Sequence, residues 1–121
     1  MPKLKVYYAH CMDIYGTPTE AADVAMLEAL GFEVINPNCA ASEAGYKAMG
    51  MEYFKKFSVE CDLVAFRPVA SSCIPAGVAK EVSWFQEVNK PIIEIPVRIG
   101  ERTMSVEDTR AHLRRARELK S

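Results

Sequence analysis

The chain has 121 residues, a length that fits one domain with its own core. Apolar residues make up 50% and charged residues 26%, and 15 basic against 16 acidic side chains leave a net charge of −1. That balance excludes a large electrostatic footprint for nucleic acid, and no apolar run approaches the ~20 residues that a membrane span requires.

Residues 1–5 run straight into a strand-like segment and lack the basic, apolar and cleavage regions of a signal peptide. Cys11, Cys39, Cys61 and Cys73 form no C-x-x-C pair, and the histidines are His10 and His112. Clustered ligands of a structural metal site are missing from this spacing. Four free thiols, a cytoplasmic location and no bound metal are therefore expected.

Short apolar runs alternate with helical segments. Residues 4–9 (LKVYYA) read as a first strand. Thr17, Pro18 and Glu20 then open a helix as N-cap, first helical residue and capping-box acid. Gly31 suits the left-handed stop. Residues 32–35 read as a second strand, ended by Asn36-Pro37-Asn38. A polar stretch with Gly45 and Gly50 follows, and 51–60 reads as a helix with Met51, Phe54 and Phe57 near helical spacing.

Residues 63–66 form a short, wholly apolar third strand. After a loop over 67–75, residues 77–88 read as a helix that Asn89-Lys90-Pro91 breaks. Residues 92–95 form a fourth strand, 96–104 have room for a short edge strand, and Ser105 to Asp108 cap a basic C-terminal helix. Such alternation needs crossover connections. It predicts an α/β, flavodoxin-like or Rossmann-like three-layer sandwich with a mainly parallel sheet of four or five strands. Ligands of such folds sit beyond the C-terminal strand ends, which singles out the loops at 9–17, 36–46 and 67–77.

Each loop supports a ligand reading and a plainer one. The first leads into a capped helix N-terminus suited to an anion, yet it has neither a dinucleotide nor a Walker fingerprint and also serves as a connector. Tyr7 and Tyr8 alternate across the sheet, so one can reach the ligand edge while the other packs under a helix. His10 has acid–base chemistry near neutral pH, or is a lone loop histidine. Asn36 and Asn38 suit a base or ribose edge, and equally suit a turn. Ser71, Ser72 and Gly77 allow close approach and phosphate contact. Glu81, one turn into its helix, is a candidate nucleophile for an anomeric carbon, or a solvated first-turn acid. Its place near the helix N-terminus favours the ionised form.

Three segments carry a family resemblance: Val6-Tyr7-Tyr8-Ala9-His10, Cys61-Asp62-Leu63-Val64-Ala65-Phe66, and Gly77-Val78-Ala79-Lys80-Glu81-Val82 with Asn89-Lys90-Pro91-Ile92. In order and spacing over residues 4–95 the chain resembles the nucleoside 2-deoxyribosyltransferase-like superfamily, which includes the 2′-deoxynucleoside 5′-phosphate N-hydrolases. The resemblance implies Glu81 as nucleophile on C1′, Tyr7 as the group positioning it, and a covalent deoxyribosyl ester resolved by water or a second base. It implies a nucleoside or nucleotide ligand, no cofactor, and a homodimer or larger assembly. An aspartate usual in the family falls at Phe54, a second falls at Pro75, and a glycine after the nucleophile falls at Ser83. Glu52, Tyr7 and His10 are the candidates for protonating the leaving base.

The expected function is cleavage or transfer at an N-glycosidic bond. Its rivals are a nucleotide-binding module of the same fold and a glycohydrolase of another nucleotide, such as a dinucleotide or cyclic signal. Arg110, Arg114, Arg115 and Arg117 on the last helix read as a solvated face or subunit contact.

Overall fold

The computed structural model describes residues 2–69, 71–97 and 99–120, without the side chain of Glu101. Ala70 in the third loop and Arg98 in the 96–104 segment lie outside the described residues. Four parallel strands, β1 (Lys5–Ala9), β2 (Glu33–Ile35), β3 (Leu63–Phe66) and β4 (Ile92–Glu94), lie in the order β2-β1-β3-β4. Tyr7 pairs with Ile35 on one side and Val64 on the other. Helices cover both faces, as crossover connections require. This is the expected doubly covered α/β sheet.

The local signals explain the joints. In α1 (Pro18–Ala29) the Thr17 hydroxyl caps the helix by accepting from the Glu20 amide at 3.4 Å. The Glu20 carboxylate reaches back to the Gly16 amide, 3.0 Å away, instead of the expected Thr17 amide, which donates to the Ile14 carbonyl. Gly31, with φ +96°, lets its own amide and that of Phe32 turn back onto the Glu28 and Leu27 carbonyls. α4 (Ala76–Glu87) ends the same way at Asn89, φ +57°, whose amide and that of Lys90 return to Gln86 and Phe85.

The second crossover departs from expectation. Residues 40–49, read as a polar stretch, form α2 (Ala40–Met49). Their alanines are strong helix formers. Gly45 sits inside that helix because a Cβ there would lie 2.2 Å from the Tyr53 ring. The expected helix over 51–60 is a 3₁₀ segment, Gly50–Lys56, followed by α3 (Phe57–Glu60). No fifth strand occurs among the described residues; 99–102 form α5 (Ile99–Arg102) before α6 (Val106–Lys120), which buries no residue.

Two residues of the resembling segments hold the frame. The Asp62 carboxylate accepts the Lys5 amide at 2.7 Å. The Lys90 ammonium donates to the Ser58, Val59 and Cys61 carbonyls at 2.7–3.1 Å, closing the C-terminal end of α3.

Strand alternation divides β1 between two cores. Tyr7 and Ala9 pack with Phe57, Val64, Val78, Val82 and Phe85 under α3 and α4. Val6 and Tyr8 pack with Leu27, Leu63, Ala65 and Ile95 on the α1 face. Both tyrosines are fully buried.

Candidate functional site

A cavity of about 600 Å³ opens beyond the C-terminal strand ends. β1 connects to β2 through α1 on one face, and β3 connects to β4 through α4 on the other, so the strand order reverses between β1 and β3. A crevice at such a switch point is where open α/β sheets place ligands. Its first side is the loop after β1, with His10, Cys11, Met12 and Tyr15. The second is the loop after β2 with α2 and the 3₁₀ segment, including Asn38, Cys39, Glu43, Tyr46, Met51 and Phe54. The start of α4, with Pro75, Gly77, Val78 and Glu81, is the third.

Glu81 is 8% exposed, and its Oε2 accepts the Tyr7 hydroxyl. The Tyr7 ring stacks on Phe57 at 4.7 Å and Phe85 at 6.0 Å, which fixes the donor. Burial raises the Glu81 carboxyl to about 7, although the Tyr7 bond favours its ionised form. The ionisation expected from the helix N-terminus is thus corrected: Glu81 is the sixth residue of α4, beyond the turn over which the dipole acts. Burial and the nearby Glu81 charge push the Tyr7 phenol up, so it stays a donor.

His10 is buried with both ring nitrogens occupied. Nδ1 lies 2.9 Å from the Tyr8 carbonyl and Nε2 2.7 Å from Glu20. A carbonyl and a carboxylate are both acceptors, so each ring nitrogen of His10 is held against one. Glu20 also accepts from Asn38 at 3.0 and 3.2 Å. Burial opposes its charge, but the His10, Gly16 and Asn38 bonds outweigh that and hold the carboxyl below its ordinary value. One carboxylate thus ties the loops after β1 and β2 to α1.

Of the residues singled out in the sequence, Glu81, His10, Asn38 and Gly77 line the cavity, and Tyr7 supports Glu81 from beneath. Asn36 accepts the Asn38 amide at 2.9 Å in a turn and stays off the lining. Glu52 is exposed and off the lining, while Met51 and Phe54 of the same segment face the cavity. Ser71 and Ser72 are exposed and also off it; the Ser72 amide closes a turn onto Val69.

Sequence reasoning missed Tyr15, Cys39, Tyr46 and Met51 as lining residues. Tyr15 was visible within the first loop. Burial and the nearby Glu81 charge push its phenol up to about 12. Cys39 is the N-cap of α2, with Sγ 3.3 Å from the Ser42 hydroxyl, a contact that lowers the thiol's pKa. All four cysteines are free thiols.

Among the described residues, no three His, Cys, Asp or Glu side chains are grouped so as to hold a metal ion, and no helix is long and apolar enough to cross a membrane. No family model, curated protein or solved structure matches the chain.

Proposed function

We propose that this domain cleaves or transfers the N-glycosidic bond of a nucleoside or nucleoside 5′-monophosphate, with Glu81 as nucleophile. One observation carries the reading: a buried carboxyl poised near neutrality, held by a packed tyrosine, on the wall of a cavity at the strand-order switch. At neutral pH its ionised and protonated forms are both populated. The ionised form attacks C1′ as the bond to the base breaks, giving a glycosyl ester. Before the ester forms, the carboxylate stabilises the oxocarbenium-like charge on the sugar. Tyr7 keeps one oxygen engaged and fixes which carboxylate edge faces the cavity. Water then resolves the ester by hydrolysis, or a second base by exchange.

The family resemblance that supports this reading also carries the expectation of a homodimer or larger assembly; α6, with no buried residue, is a surface free to take part. A second reading, a nucleotide-binding module, is favoured by Phe54 and Pro75 on the cavity wall where the resembled enzymes carry carboxylates.

Chromatographic assay of base release separates the two. Wild type and Glu81→Ala are incubated with ribo- and deoxyribonucleosides and their 5′-monophosphates, with and without a second free base. Release by wild type alone is expected, and an exchanged base makes the enzyme a transferase. Silence from both proteins, with thermal stabilisation by a nucleotide, transfers the conclusion to the binding module.

A further inference from the structure

We propose that the preferred substrate is a nucleoside or nucleotide whose base is a cationic N-glycosylated heterocycle, such as a pyridinium, which leaves C1′ as a neutral molecule. This rests on the N-glycosidase reading above and adds the class of leaving group.

Two features of the cavity lead there. The first is recognition. Its lining presents the aromatic residues Tyr15, Tyr46 and Phe54 and the carboxyl of Glu81, which no described Lys or Arg pairs, with no Lys or Arg among the described lining residues. Tyr46 and Phe54 lie 6.0 Å apart as a tilted pair. Aromatic faces stack on any flat ring, and a carboxyl group beside them adds an attraction that a cationic ring receives and a neutral one does not. His10, the remaining basic side chain on the described lining, is already paired with Glu20 at 2.7 Å.

The second is proton supply. A neutral purine or pyrimidine departs with its ring nitrogen carrying the bond electrons, so it needs a proton in the transition state. Apart from the Cys11 thiol, the wall offers no poised donor besides the nucleophile itself. Phe54 and Met51 are apolar, both His10 nitrogens are committed, and Glu43 is ion-paired with Lys47 at 3.2 Å. Tyr15 holds its proton to about pH 12, and the Cys39 thiol is engaged by Ser42.

A pyridinium removes the need. A Glu81 oxygen forms the bond to C1′, the C1′–N pair neutralises the ring nitrogen, and free pyridine base departs unprotonated. Water then cleaves the ester, giving the free sugar and one proton and restoring the carboxylate. The sum is glycosyl pyridinium plus water to sugar, pyridine and a proton.

The test compares nicotinamide riboside and its 2′-deoxy counterpart with adenosine and 2′-deoxyadenosine, each also as the 5′-monophosphate, on wild type, Glu81→Ala and the isosteric Glu81→Gln. Nicotinamide release at least about 100-fold faster than adenine release, the low end of what general acid catalysis supplies, and lost in both variants, is the expected result. Adenine release as fast as nicotinamide release, still dependent on Glu81, overturns the leaving-group inference and leaves the N-glycosidase reading standing. Release from none of the substrates overturns both.

Discussion

Tyr7 and Tyr8 are neighbours on one strand, and each donates its phenolic proton to a buried carboxyl group on a flanking helix. On the α1 face that group is Asp23, which also receives the Arg67 guanidinium through Nε at 2.5 Å and a second nitrogen at 2.8 Å. On the α4 face it is Glu81, which no Lys or Arg among the described residues pairs, and which borders a cavity. The same donor thus serves two ends. A carboxylate closed by a bidentate guanidinium is satisfied and inert. One left with a phenol and an apolar surround is raised toward neutral pH, where it can serve as nucleophile or acid.

The largest expected effect comes from opening the closed side. Arg67→Met keeps the apolar stem and removes the charge, leaving Asp23 buried beside Tyr8 alone of the two partners described. Breaking a buried pair from one side costs ~3–5 kcal/mol, read as a fall in the urea midpoint. The Glu81 titration should not move. A loss below ~1 kcal/mol, the scale of an exposed pair, would place the Arg67–Asp23 contact among surface interactions and remove the contrast.

The next effect is a gain. The Glu81 carboxyl is raised from 4.5 to about 7 on folding. Between those values the folded chain keeps a proton that the unfolded chain has released, so stability falls as pH rises through the window. At 1.36 kcal/mol per unit the loss amounts to ~3 kcal/mol. Glu81→Gln cannot ionise. It should match wild type near pH 4.5 and exceed it by ~3 kcal/mol at pH 8, in denaturant titrations run across the range. A wild-type curve flat between pH 5 and 7 would show that Glu81 is ionised like any surface acid.

Much of this arrangement was legible because its signals are local. An all-apolar run gave β3 its bounds, and Thr17, Pro18 and Gly31 marked both ends of α1. Tyr7 and Glu81 stood out through segment resemblance, and alternation alone assigned Tyr7 and Tyr8 to opposite faces. What stayed hidden depends on distant partners. Gly45 looked like a loop residue because the Tyr53 ring that requires it lies in the next segment. The Arg67–Asp23 pair spans 44 positions and follows no spacing rule. Glu52 reads as a candidate proton donor from its place in the chain, but the 3₁₀ segment turns Met51 and Phe54 to the cavity and leaves Glu52 in solvent. The charge state of Glu81 is not legible in its helix position, because the burial that raises its carboxyl is a property of the assembled core.

The finest test applies one substitution to both sides. Tyr8→Phe removes one donor from Asp23, but Arg67 still holds that carboxylate, so the cost is a single hydrogen bond to a charged group, about 1.5 kcal/mol. That cost should stay constant from pH 5 to 8, because the ion pair remains. Tyr7→Phe removes the bond that favours ionised Glu81, and the folded-state pKa moves further up from about 7. The window in which the folded chain binds the extra proton then extends upward, so the cost of Tyr7→Phe grows between pH 7 and 8. If base release depends on ionised Glu81, its pH–rate limb shifts upward by the same amount in this variant and not in Tyr8→Phe. Equal, pH-independent costs for the two substitutions would mean that the two carboxyl groups sit in the same electrostatic state, and that the cavity beside Glu81 has no influence on it.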